Sequence, residues 1–201
     1  MSLVTPRQIL KTITLIVDSG IGSVGYQDFL ESGRFAEGLR EFRVEPAHPE
    51  PTITQIKVPL DYTRTLVEMR DATSCDGYVA SEVNDENFPV EPGKSGEREL
   101  ELVCFHREIK DDENPARSEL LQELDKLGLK PEGPPELCAV GEHQPDLQRE
   151  FPIVARRQVW RSPDGILVVP ILDEYDYGRG LSLDDVGSRW RYSDWFLASR
   201  K

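Results

Sequence analysis

The chain is short of positive charge, of soft metal ligands and of long apolar runs, and each shortage removes a class of function. Lys and Arg number 24 against 37 Asp and Glu, a formal net charge of −13. Such a field repels phosphate backbones and anionic lipid, which argues against nucleic acid and membrane surfaces as partners. No apolar run approaches the roughly 20 residues of a membrane helix. The early segment ILKTITLIVDSG is broken by Lys11, Thr12 and Thr14 and has no small-residue cleavage site, so it reads as a strand and not as a signal peptide. Cysteine is limited to Cys75, Cys104 and Cys138, an odd and widely spaced set that predicts reduced, mostly buried thiols in a cytoplasmic protein. Display at the cell surface would need another export route.

Catalytic signatures are scarce as well. The three histidines, His48, His106 and His143, fall in a proline loop, a strand and a helix end, and no Gly-x-Ser-x-Gly elbow accompanies them. No glycine-rich phosphate loop follows a strand. Cys104, His106, Cys138 and His143 could meet at a zinc, but none of the pairs has the tight spacing of a zinc ribbon. Asp173, Glu174 and Asp176 lack the every-second-residue ladder of a calcium loop. The expectation is a non-enzymatic protein with no metal and no cofactor.

What is present is an ordinary globular composition, 38% hydrophobic and 30% charged. TITLIV at 12–17 alternates as a strand, residues 25–42 offer short helical turns, and EPAHPEP is a proline-rich linker or loop. TITQIKVPL reads as a second strand, followed by a helix with Asp61 as cap and Tyr62, Leu66 and Met69 on one face. The turn-rich NFPVEPGKSGE suggests a domain boundary near residue 95.

Beyond it, RELELVCFHREI places Leu100, Leu102, Cys104 and His106 on one strand face. A helix capped by Asn114, with Pro115 at its first position, carries a stripe of Leu120, Leu121, Leu124 and Leu127. PPELCAVGEH is a shorter helix opened by Pro135, and FPIVARRQVW, the turn SPDG and ILVVPIL make a hairpin. After Leu172 the chain reads as loop until the closing strand WFLASRK. The overall expectation is an α+β protein: a smaller α/β N-terminal part of unknown role at 1–95, and a strand–helix–helix–meander domain at 96–201.

In the tail, aromatic, Asp, Ser, Arg and Gly residues alternate with apolar anchors. Tyr and Trp give large contact area at low entropy cost and Ser and Asp give adaptable hydrogen bonds, as on binding surfaces. An irregular acidic loop with a few core aromatics has the same composition, and both readings stand at this level.

The run ELDKLGLKP…QPDLQREFPIVA…SPDG, with the ending GRGLSL…FLASRK, resembles small bacterial proteins of the C-type-lectin-like class, akin to the variable proteins diversified by retroelements. The resemblance covers about residues 60–201. It implies a rigid frame at Trp160, Pro170, Leu172, Leu181, Leu183, Trp190, Phe196, Ala198 and Arg200, with the residues between forming the ligand surface. The implied ligand-binding set is Asp173, Tyr175, Asp176, Tyr177, Asp184, Asp185, Ser188, Arg189, Arg191, Tyr192, Ser193 and Asp194. A retroelement that randomises adenines in Asn codons can yield Tyr, Asp, Ser, Gly, Val and Arg, whereas Glu174 falls outside that repertoire. The implied partner is a protein or other macromolecule. The alternative within the class is a calcium-dependent carbohydrate-binding lectin; the triplet at Gln144–Asp146 matches part of the calcium motif of such lectins but sits after the second helix, and no Trp-Asn-Asp follows it.

Overall fold

Alternation in TITQIKVPL makes Thr52–Leu60 strand β1, with Ile56, Val58 and Leu60 buried and the residues between them exposed. The computed structural model describes residues 49–201 apart from Pro92 and Ser188. The strand expected at 12–17, the helical turns at 25–42 and His48 lie outside the described residues. Strand β1 pairs antiparallel with β2 (Gly96–Cys104) along its whole length, from Thr52 opposite Cys104 to Leu60 opposite Gly96. The expected boundary near residue 95 therefore falls inside one compact unit, residues 49–201. Turn residues mark loops within a unit as well as the links between domains.

Helix α1 (Leu66–Ala72) lies between the two strands and starts at a capping box. Thr65 Oγ1 accepts from the Glu68 N–H, and the Glu68 carboxylate accepts from the Thr65 N–H. Asp61, expected as the cap, instead accepts from the Thr63 N–H in the preceding turn. Leu66 and Met69 face the core. After β3 (Ile109–Lys110) comes α2 (Glu119–Lys126), one turn later than expected: Ser118 is its cap, while Asn114 accepts from the Ala116 N–H in a separate turn. Leu120 and Leu124 of the predicted stripe are buried.

Strand β4 (Leu129–Pro131) leads to α3 (Pro134–His143), which has both prolines in its first turn, and to the single turn α4 (Leu147–Glu150). The strands that follow are β5 (Ile153–Val154), β6 (Trp160–Arg161), β7 (Leu167–Tyr175), β8 (Gly178–Asp185), β9 (Arg189–Trp190) and β10 (Trp195–Arg200). The stretch after Leu172, read as loop, is thus mostly strand. Its regular pairing, from Val168 opposite Asp185 to Tyr175 opposite Gly178, is masked in sequence by polar residues on one face and glycines at the turn.

The fold is α+β, with an eight-stranded sheet and four helices among the described residues. Strand β10 lies between β2 on one side and β5 and β4 on the other, and β7 joins β5 and β6 to β8. Adjacent residues face opposite ways, so the apolar runs of β2 and β10 feed two cores. Leu100, Leu102, Leu197, Leu172 and Leu181 pack with Leu66, Met69 and Leu137 of α1 and α3. Val103, Phe105, Phe196, Val154 and Ile171 pack on the other face with Leu120 and Leu124 of α2 and with Ile109 and Trp190 of the β3–β9 pair. Trp190 and Phe196 are buried as expected of frame residues, whereas Trp160 is half-buried and Arg200 is exposed. No helix of the described residues is long and apolar enough to cross a membrane.

Candidate functional site

The β7–β8 hairpin organises the tail. At its tip Gly178 has φ +120°, a conformation that side chains rarely adopt, and an added Cβ would lie 2.8 Å from Asp76 Oδ1. Across the ladder, a Cβ on Gly180 would meet the Tyr175 ring at 2.6 Å, so the missing side chain is what lets that ring lie flat on β8. Tyr175 is held there by its hydroxyl, 2.8 Å from Ser182 Oγ, and it stacks on Tyr177 with ring centroids 5.3 Å apart. The outer edge of β8 is covered by residues 77–80, through Gly77 N–H to Arg179 O and Ala80 N–H to Leu181 O.

Strand alternation then sorts the candidate residues. Asp173, Tyr175, Ser182 and Asp184 share the face of Val169 and Ile171, and they continue the second core outward to its polar rim. The turn Arg191–Asp194 meets this rim. Asp194 is only 6% exposed and accepts from the Arg191 N–H at 2.7 Å. Burial pushes the Asp194 carboxyl up; the Arg191 N–H and guanidinium pull it back, and Asp184 and Asp173 push it further up. Asp173 is raised by burial in the same way and senses Arg191 and Asp184. Asp173 and Asp194, both raised by burial, thus lie within electrostatic reach of the Arg191 guanidinium and of the Asp184 carboxylate. Tyr177 and Tyr192 flank it, 65% and 69% exposed.

The remaining candidates are dispersed. Asp176 is exposed at the hairpin tip and Ser193 is half-buried in its turn. Asp185 points to the opposite face from Asp184 and accepts from the Gly187 N–H. Arg189 pairs with Glu108 across β3–β9, and Ser188 lies outside the described residues. Sequence reading missed Ser182, Gly180 and Gln148, whose Nε2 donates to the carbonyls of both Asp173 and Gly180 and clamps the hairpin from the other face. A glycine and a glutamine carry no sequence signal of that kind.

The chain matches no family model, no curated protein and no solved structure. What the surface can do follows from its groups. Stacked tyrosines offer apolar area with a polar tip, and the carboxylates offer acceptors to cationic donors.

The second chemistry-bearing constellation is Cys104 with His106. The thiol lies 3.5 Å from His106 Nδ1, and His106 Nε2 lies 2.6 Å from Thr52 Oγ1. This has the outline of a nucleophile, a base and an orienting group. The thiol, however, is buried, donates to the Tyr192 carbonyl at 3.3 Å, and is pushed up by its burial, all of which favour an unreactive thiol over a thiolate. Cys138 lies in the first core, raised by burial and sensing Cys75, and His143 is exposed beside Glu142. Among the described residues no three His, Cys, Asp or Glu side chains group as a metal site.

Proposed function

We propose that residues 49–201 are a binding module without catalytic chemistry, whose ligand surface is the rim formed by β7, β8 and the Arg191–Asp194 turn. The observation that carries this is the convergence on one sheet face of Asp173, Tyr175 and Asp184, with Arg191 and Asp194 beside them and exposed Tyr177 and Tyr192 at the flanks. In this reading the frame beneath is C-type-lectin-like, which is supported by an α+β unit whose last strand, β10, pairs antiparallel with β2. In this reading a retroelement diversifies the rim while Leu172, Leu181, Trp190 and Phe196 stay constant. The partner is a protein with a Lys- and Arg-bearing contact surface, complementary to the aspartates and to the net charge of −13. Three free thiols, two of them buried, suit a reducing compartment, the cytoplasm.

The test is affinity capture from the source organism with the parent chain and with Tyr177→Ser, Asp184→Ser, Tyr192→Ser combined. The combined variant is expected to melt within a few degrees of the parent, since exposed changes cost about 0.5 kcal/mol each, and to lose a specific, salt-sensitive partner. Equal capture by both chains, or collapse of the variant, refutes a tolerant binding rim. Diversification itself is tested in the neighbouring DNA, which should hold a reverse-transcriptase gene and a near-copy of the tail's coding sequence.

A further inference from the structure

Strand β2 has a neighbour on each side, but only one of them follows it to its start. On one side β1 pairs with all of Gly96–Cys104. On the other, the ladder with β10 ends at Ala198 opposite Glu101, because Ser199 and Arg200 diverge to pair with Lys130 and Leu129 of β4. Antiparallel strands turn the backbone groups of alternate residues toward each partner. Trp195 gives its N–H to the Pro152 carbonyl, on the β5 side of β10, so Phe196 and Ala198 are the residues of β10 that bond Val103 and Glu101. The odd-numbered residues of β2 thus face β10, and Pro59, opposite Glu97, has no N–H to offer from the β1 side. Glu97 and Glu99 turn their N–H and C=O groups into the gap between β2 and the diverging β10, with no strand opposite them there among the described residues.

The gap measures about 330 Å³, lined by Glu97, Glu99 and Glu101 on one wall and by Lys130, Ser199 and Arg200 on the other. Alternation puts the three glutamates on one face, about 6.7 Å apart along the strand. A single ammonium, that of Lys57, serves two of them, 2.8 Å from Glu99 and 3.6 Å from Glu97. Glu101, where the β10 ladder begins, is 3% exposed; its Oε1 accepts from Arg200 Nε at 2.9 Å, and Oε2 accepts no hydrogen bond among the described residues. Lys130 and Ser199 belong to the opposite face, one residue out of phase with Ala198 and Glu101. A strand edge open to a cleft is a template for another chain, and a carboxylate oxygen under cover without a donor is costly. A free anion is repelled by the glutamates, and a free cation leaves the backbone groups unmet. An extended peptide with basic residues at alternate positions meets both needs: its backbone continues the ladder, and its side chains form opposite-charge cross-strand pairs.

We propose that this gap takes up a short extended segment of a basic protein partner as an added strand. Its backbone bonds to Glu97 and Glu99, and its Lys or Arg side chains at alternate positions are set against Glu97, Glu99 and Glu101. The residues between them meet Lys130 and Ser199 on the other face and are small and polar. The site is independent of the β7–β8 rim, and either can fail without the other.

The test is amide-resolved NMR of the full chain, titrated with acetyl-Thr-Lys-Ser-Lys-Thr-amide to about 10 mM, well above a millimolar Kd. The expected result is saturable shifts and slowed exchange at the Glu97 and Glu99 amides. Binding should be at least tenfold weaker in Glu99→Lys, a change at a side chain 60% exposed. If Glu99→Lys does not fold, Glu97→Lys carries the same comparison. Three controls should not reproduce the shifts: the peptide with Glu for Lys, the basic peptide N-methylated throughout, and butane-1,4-diamine, which has the charges alone. No response to the basic peptide overturns the proposal and leaves water as the gap's occupant. An equal response to the N-methylated peptide or the diamine overturns strand addition in favour of a site for cations. An equal response to the acidic peptide overturns the charge pairing, and unchanged binding in the glutamate variant places the peptide elsewhere. Shifts of the same amides that grow with protein concentration, without peptide, overturn it in favour of a second copy of this chain.

Discussion

Asp111 is the residue whose loss the structure makes most costly. Its side chain is fully buried, and it gathers four donors. Oδ2 accepts from Arg156 Nε and from Trp190 Nε1 at 3.2 Å, and Oδ1 accepts from Ser118 Oγ at 2.6 Å and the Asp112 N–H at 2.8 Å. Arg156 is itself buried and donates a second bond to the Asp112 carbonyl at 2.9 Å. This network ties the chain after β3, the α2 cap and the β9 tryptophan to the sheet. Asp111→Ala leaves a buried guanidinium without its counter-ion and an indole N–H without an acceptor. Removing one member of a buried ion pair costs about 3–5 kcal/mol, and at about 2–4 °C per kcal/mol for a unit of this size the melting temperature should fall by about 6–20 °C. Arg156→Met should cost less, about 1–3 kcal/mol, because Asp111 keeps three donors while the methionine fills the space. Urea titration followed by tryptophan fluorescence measures both, with Trp190 as a local reporter. The reasoning is refuted if Asp111→Ala costs under about 1 kcal/mol, or if Arg156→Met proves the worse of the two.

Two further outcomes are expected. Trp190, 2% exposed and set edge-on against Phe196, should cost about 3–5 kcal/mol when replaced by alanine, read by the same titration; a loss below about 1 kcal/mol would mean that the second core closes without it. Burial holds the Glu132 carboxyl above the ordinary glutamate range, against the pull of the Ser199 hydroxyl. Its contribution to stability is therefore full below that range and is lost as pH rises through the raised value. Glu132→Gln, always neutral, should gain on the parent as pH climbs from about 4 to about 7, and a pH-independent difference in melting temperature would contradict this.

Local rules in the sequence were enough for the strand at 52–60, the strand through Leu100 and Leu102, a helix across Leu120 and Leu124, the helix at 134–143 and the closing strand, because alternation, caps and prolines act within a few residues. Trp190 and Phe196, expected in the frame together with Trp160, are buried, whereas Trp160 is half-buried. Local rules went astray where one signal serves two purposes. Asp61 and Asn114 can cap a helix or hold a turn, and they hold turns here, while Thr65 and Ser118 sit where the backbone enters the helix. The prolines and glycines before β2 close a loop inside one unit. The tail was the hardest stretch, since β8 shows Leu181 and Leu183 to the core but Ser182 and Asp184 to the rim, and Gly178 and Gly180 remove the side chains that would mark a strand.

Tertiary structure alone decided which polar residues matter. Packing brought Asp194 under cover beside Asp173 and Asp184, sent Asp185 to the other face, and buried Glu132 between two arginines. Burial and charge proximity are properties of residues far apart in the chain, Arg98 with Glu132 and Asp111 with Arg156, and no local pattern encodes them.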